Sequence, residues 1–434
     1  MAISSTLFKR LRVADWRQFG VIDIEFHRNL TVLTGVNGAG KSTLLQILSS
    51  HLGASRQLLG VPLKRDGQIT YFSGLFHFSA RVFDWLKTTN QSRDIFGQLE
   101  YQNGTTASLE LEKSVGISYN PMVQNQQSVL GFLMPSHRLM PNYKQVPNIP
   151  FGGMKPEDSF NTLINEAYAG LHGNHTGNSI LFQLKQILAC WATVGEGNST
   201  IDADPAQYEA YKGFIEILRK IIPAEVGFQD LKMRPPDVLL ETAAGTFLID
   251  AASGGLVTLI EISAMIYTCS LRADVRGGPF VVTFDEPENH LHPSLQRSLL
   301  PTLVDAFPQV QFVVATHSPF MVSSRRDSNV YVLRHRDTDR GEAVATPFLP
   351  ANRFVDSTRL DQINRAGTAG EILREVLGVP ITLPAWVEAE LRVIVDRYAD
   401  KPITEHTLET FRTEVSAAGL SELFSDALAM LGGA

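Results

Sequence analysis

Apolar and polar positions alternate over Leu7–Val13, Val21–Phe26 and Leu30–Leu33, the short-period pattern of strands. Asp15-Trp16-Arg17-Gln18-Phe19-Gly20 reads as the turn between the first two. After Thr34-Gly35 the period lengthens, and Leu44, Leu45, Ile47 and Leu48 predict a helix beginning at Lys41. Further strands are predicted at Ile69–Phe72, Gln98–Tyr101 and Ala107–Leu111. Asn103-Gly104 joins the last two as a hairpin turn, because Asn and Gly tolerate the positive φ that such a turn requires.

From about Ser114 the pattern changes. Val129–Met134 reads as a strand, the Gly/Pro/Asn-rich stretch Pro141–Pro156 as irregular chain, and Phe160–Leu171, Ser179–Ala192 and Ala206–Ile222 as helices. Tyr208, Tyr211, Ile215, Leu218 and Ile222 make one apolar face, expected to pack on a core. None of these helices sustains the heptads of a long coiled coil. Strands return at Val238–Leu240 and Thr246–Ile249, followed by a helix over Leu256–Leu271. Phe280–Phe284 and Phe312–Ala315 are unbroken apolar runs suited to parallel strands buried on both faces, with a helix near Leu295–Ala306 between them. The tail from Phe354 reads as helical. The expected organisation is an N-terminal lobe over 1–113, a largely helical insertion over 114–236, a C-terminal lobe over 237–350 and a helical region over 351–434.

Composition narrows the class. The 434 residues are 44% hydrophobic and 19% charged. No run is expected to reach the roughly 18–20 apolar residues of a membrane helix, and Met1–Ser5 lacks the features of a secretion signal. Cys190 and Cys269, without a CxxC or Cys/His cluster, fit a reducing compartment, so the cytoplasm is the expected location. A net charge of −7 gives no global pull toward nucleic acid.

Gly35-Val36-Asn37-Gly38-Ala39-Gly40-Lys41-Ser42, followed by Thr43, matches the phosphate-loop pattern between a strand and a helix. Glycines turn successive N–H groups toward phosphate oxygens, and the helix adds the positive end of its dipole. Lys41 is placed for the β- and γ-phosphates of ATP, and Ser42 for Mg²⁺. The strand over Phe280–Phe284 delivers Asp285 as a second Mg²⁺ group and Glu286 as the residue that polarises water. His317, after the next buried strand, stands where a γ-phosphate sensor belongs.

These elements, with Asp285-Glu286-Pro287-Glu288-Asn289-His290-Leu291-His292-Pro293 and Thr316-His317-Ser318-Pro319, resemble the RecF/SMC/OLD-like branch of the ABC-type ATPases. Many members of that branch are ATPase components of bacterial antiphage-defence systems, Septu-like and retron-associated ones among them. The resemblance covers Leu7–Leu48 and Val238–Val322. It implies an α/β P-loop NTPase of the ABC/SMC-head kind, with antiparallel N-terminal strands, a helical insertion and a helical tail. It also implies ATP with Mg²⁺, and a homodimer or higher homo-oligomer that closes on ATP through Ser253-Gly254-Gly255. In that loop Ala252 and Leu256 depart from the customary residues. Arg17 resembles the basic residue that the branch sets near the nucleotide. The glutamine expected after Val129–Met134 is missing, which leaves His137 and Arg138 as candidates there. The implied role is a switch that controls a separate effector protein, a nuclease; a DNA-maintenance ATPase is the alternative. Asp337-Thr338-Asp339 reads as a solvated charged turn and not as a nuclease centre. Trp386, Leu391 and Ile394 read either as a partner anchor or as part of the chain's own core.

Overall fold

The computed structural model describes residues 5–65, 68–74, 93–112, 116–136, 142–149, 154–171, 177–337, 353–361, 367–377, 385–399, 401–402 and 404–432. Met1–Ile372 and Leu373–Ala434 form two compact units.

The first unit is organised by an 11-stranded sheet. Its antiparallel part contains β1 (Phe8–Trp16), β2 (Phe19–Glu25), β7 (Arg93–Tyr101), β8 (Thr106–Glu112) and β10 (Met122–Gln124). The parallel part contains β3 (Leu30–Gly35), β11 (Gly131–Met134), β15 (Phe280–Asp285), β16 (Val310–Ala315) and β17 (Asn329–Asp337). Strand β18 (Arg353–Arg359) joins the halves, antiparallel to β17 and parallel to β2, in the order β10-β8-β7-β1-β2-β18-β17-β3-β16-β15-β11. Short pairs form at its margin between β4 (Leu58–Leu59) and β9 (Ser118–Tyr119), and between β5 (Val61–Arg65) and β6 (Gln68–Phe72).

Residues Leu30–Gly35 and Val310–Ala315 are buried throughout, as parallel strands covered on both faces require. Helix α1 (Lys41–Ser49) packs on β3, β15 and β16. Helix α5 (Gly254–Leu271) is surrounded by α2 (Pro156–Leu171), α3 (Ile180–Glu196) and α4 (Pro205–Ile221). Caps set these boundaries: Ser179 accepts from Phe182 N at the start of α3, and Asp204 accepts from Ala206 N and Gln207 N before Pro205 opens α4. A three-stranded meander of β12 (Phe228–Arg234), β13 (Asp237–Thr242) and β14 (Gly245–Leu248) leads through the turn Ile249–Ala251 to α5. Helices α6 (Pro293–Ala306) and α7 (Pro319–Val322) connect the remaining strands.

The structure corrects several expectations. The first turn is the dipeptide Arg17-Gln18 and not Asp15–Gly20, because Trp16 and Phe19 pair across the hairpin and are both fully buried. Residues 353–359 are a strand where a helical tail was expected, since the edge of β17 away from β3 takes it as a hydrogen-bonding partner. The region 114–236 carries β10 and β11 of the main sheet besides its helices. Gly254–Leu271 does reach the length and apolarity of a membrane span, with 78% of it buried inside the fold. That burial is what a helix apolar all round requires within a core.

The second unit has its own core, in which Val387, Leu391 and Ile394 of helix Ala385–Asp396 meet Phe411 and Val415 of helix Glu405–Ala417 and Ala427 of helix Phe424–Gly432. Leu391 and Ile394 are therefore core residues, whereas Trp386 is 63% exposed.

Candidate nucleotide site

Parallel register brings the distant motifs to one edge of the sheet. Asp285 pairs with Ala315, Ala315 with Leu33, and Gly35 with Leu333. The phosphate loop, the acidic pair and the His317 turn therefore leave three adjacent strands side by side. Thr316 N donates to Leu33 O and Thr34 Oγ1 to Thr316 O, which ties the loop's strand to that turn.

The loop cannot carry side chains at two of its glycines. A Cβ at Gly35 (φ +141°) would lie 2.4 Å from Leu333 O. One at Gly40 (φ +93°) would lie 2.4 Å from Gln18 Nε2 and 2.5 Å from the Phe19 ring. Helix α1 begins at Lys41 with no side-chain cap and no acidic residue in its first turn, so its N–H groups and dipole are not neutralised by a carboxylate of the turn. Ala39 N closes the loop on Val36 O, and Asn37 and Gly38 are exposed.

Lys41 is buried and donates to Gly35 O at 3.0 Å and Val36 O at 3.2 Å. Burial pushes its pKa down to about 8, against the attraction of Glu286, Asp285 and Glu288. Ser42 Oγ donates to Asp285 Oδ1 at 3.0 Å, and Thr43 is half-buried in the next position. Burial raises the Asp285 carboxyl above its usual range, while Ser42 and Lys41 oppose the rise. A hydroxyl and a carboxylate oxygen in hydrogen-bond contact beside the loop are hard donors of the kind Mg²⁺ takes together with phosphate oxygens.

Glu286 adopts φ +51°, and its N–H donates to Ala315 O at 2.9 Å. Its carboxylate lies 3.6 Å from His317 Nε2 and accepts from Asn289 Nδ2 at 3.4 Å. Burial and Lys41 lower the His317 pKa, with Glu286 opposing. The same Asn289 amide reaches Ser136 O at 3.3 Å, on the lip that follows β11. His137 and Arg138 lie outside the described residues, as do Thr338 and Asp339.

Arg17 (φ +55°) sits in the hairpin turn whose next residues, Gln18 and Phe19, abut Gly40. Its guanidinium donates to Leu59 O and Tyr119 OH, each at 3.3 Å. Ser253 caps α5, accepting from Leu256 N at 3.4 Å, and is exposed with Gly254 and Gly255 behind it. The structure thus gathers Gly35–Thr43, Asp285, Glu286 and His317, and sets Ser253 at the head of a separate helix.

Gln18, Asn289 and Glu288 are the additions to the site that sequence reasoning gave no role. Glu288 and Asn289 carried a signal, since both stand inside the Asp285–Pro293 motif. Gln18 did not, because its contact with Gly40 joins separate segments of the chain.

A mixed α/β sheet that carries a phosphate-loop sequence between β3 and α1, with an acidic strand end and a histidine turn beside it, has the architecture of a P-loop NTPase. A family model described as "AAA domain" matches residues 10–128, and one described as "AAA domain, putative AbiEii toxin, Type IV TA system" matches 233–323. The Septu protein PtuA of Bacillus mycoides is 22% identical over 379 residues, which are 85% of this chain and 42% of the relative. The Retron Ec83 probable ATPase of Escherichia coli is 28% identical over 116 residues, 25% of this chain and 21% of that protein. The chain spans less than half the length of either relative. The SMC head domain from Thermotoga maritima superposes with a TM-score of 0.41 at 12% identity, covering 82% of this chain and 99% of that one. The chain is thus similar in sequence to Septu and retron ATPases, and each family model matches less than half of it.

Proposed function

We propose that this chain binds MgATP in Gly35–Thr43, hydrolyses it slowly, and acts as a nucleotide-driven switch on a separate effector protein in antiphage defence. The observation that carries the reading is the convergence of the loop, Asp285, Glu286 and His317 on one sheet edge, with 3.6 Å between Glu286 and His317.

Lys41 leaves the loop carbonyls and donates to the β- and γ-phosphates, an anion that stabilises its ammonium charge. Ser42 and Asp285 would hold Mg²⁺, which when bound would supply positive charge against the phosphate oxygens. Glu286 orients the attacking water and accepts its proton, and His317 donates from its Nε2 side to the γ-phosphate. Arg17 approaches the nucleotide from the hairpin turn.

Two chains close on ATP in this reading, each completing the other's site with Ser253-Gly254-Gly255. An exposed serine at the head of an 18-residue helix supports it, because such an end attracts anions. The effector role is supported by the similarity to Septu PtuA and the Retron Ec83 ATPase. A nuclease is the effector class that the antiphage resemblance implies.

The test is a steady-state phosphate-release assay on the parent chain, Lys41→Ala and Glu286→Gln. The parent should turn over only with Mg²⁺, and both variants should be inactive. Equal turnover by all three would remove the site from the reaction.

A further inference from the structure

The turn that presents His317 is held by a carboxylate with no role in the scheme above. Glu288 Oε1 accepts from Thr316 Oγ1, from His317 N at 3.0 Å and from Ser318 N at 3.2 Å, three donors on successive residues. Oε2 of the same carboxylate is buried and makes no hydrogen bond among the described residues. Glu288 is one turn from Glu286: Asn289 N donates to Glu286 O, and Leu291 N to Glu288 O. A single short turn therefore carries the water-orienting carboxylate at one end and the clamp on the histidine turn at the other.

We infer that Glu288 is a positioning residue that fixes His317 relative to Glu286, so that the imidazole is set before the γ-phosphate arrives. This inference rests on the proposed role of His317. One oxygen collecting three donors suits an anionic acceptor, because charge-assisted hydrogen bonds are the strong ones. The bonds of Thr316 to Leu33 and Thr34 anchor the start of the turn at 316–318 on β3. Glu288 adds the bonds that fix the N–H groups of His317 and Ser318, linking the end of β15 to the turn after β16. The sensitivity is expected to be large, since misplacing a reacting group by about 1 Å costs roughly 100-fold in rate.

The experiment is a double-mutant cycle on the full chain, with kcat and KM for ATP measured for the parent, Glu288→Ala, His317→Ala and the double variant. Glu288→Ala should lower kcat at least about tenfold, with KM within about twofold. Glu288→Gln, which keeps the acceptor oxygen, should recover most of kcat. In the His317→Ala background, Glu288→Ala should cost less than about twofold more, because its route to the chemistry is gone. Equal losses in both backgrounds, or no loss in the parent background, would overturn the inference while leaving the ATPase reading intact. If His317→Ala turns over like the parent, the assignment of His317 itself fails and the inference falls with it. Should Glu288→Ala not fold, Thr316→Val removes one donor to the same oxygen, and its kcat loss should likewise vanish in the His317→Ala background.

Discussion

Lys41 sits where its charge is disfavoured, buried and donating only to two loop carbonyls, with three carboxylates at a distance. A triphosphate supplies the missing anion. Lys41→Ala should therefore weaken ATP binding by about 1.5–3 kcal/mol, or roughly 10- to 100-fold, as a charge-assisted hydrogen bond implies; titration with a fluorescent ATP analogue checks this. His51 gives a second prediction, on stability. Its ring packs edge-on against Phe8 and bonds Tyr101 OH at 2.8 Å, and burial pushes its pKa down to about 4. The folded state thus refuses a proton that the unfolded chain takes up at about 6.5. Stability should fall as pH drops from about 6.5 to about 4, by up to about 3 kcal/mol from this group. Denaturant melts should show a shallower acid loss in His51→Gln. Residues of the phosphate loop were legible because the motif is contiguous and each position acts through local backbone geometry. Asp285, Glu286 and His317 were legible as strand ends. The motif pointed to Glu288 and Asn289 without their partners, because the bonds to Thr316, His317 and Ser136 span 28 or more residues and only the folded sheet creates them. Gln18 was not legible, since its contact with Gly40 arises only in the fold.

Among elements, α3 and α5 are joined by charge. Lys185 is fully buried on α3 and bonds both oxygens of Asp250 at 2.9 and 2.7 Å, in the turn that leads to Ser253. Leu181 N, in the first turn of α3, donates to Glu261 of α5 at 3.1 Å. Periodicity predicted both helices, but nothing in the local sequence pairs residues 65 apart. Lys185→Met leaves Asp250 buried without its cation and should destabilise the first unit by about 3–5 kcal/mol, whereas adding Asp250→Leu should recover most of that loss. Calorimetric melting of both variants decides this. The strand at 353–359 was missed for a different reason. Phe354-Val355-Asp356-Ser357-Thr358 shows no apolar/polar alternation, and it is its pairing with β17 that fixes it as a strand.

At the scale of the whole molecule, the chain divides into two compact units. The proposed catalytic groups all lie within Met1–Ile372, and Leu373–Ala434 has a separate core of its own. A chain ending at Ile372 should keep its nucleotide affinity within about threefold and lose cellular protection, if the second unit couples to the effector; unchanged protection against phage would assign it no such task. Shared sites make a further demand. Ser253→Arg and Lys41→Ala, each inactive alone, should regain part of the turnover when mixed, because one hybrid site would be intact. A Ser253→Arg monomer with normal hydrolysis would show the sites to be complete within one chain.

Glu286 is proposed to orient water toward ATP held by the loop of its own chain. The most direct test is rapid isolation of Glu286→Gln after mixing with radiolabelled ATP and Mg²⁺, followed by separation of ATP from ADP on the protein. ATP should remain bound, with hydrolysis slowed by about 10²–10⁴-fold, the contribution of a positioned general base. ADP formed at the parental rate would contradict it, because another group would then be activating the water.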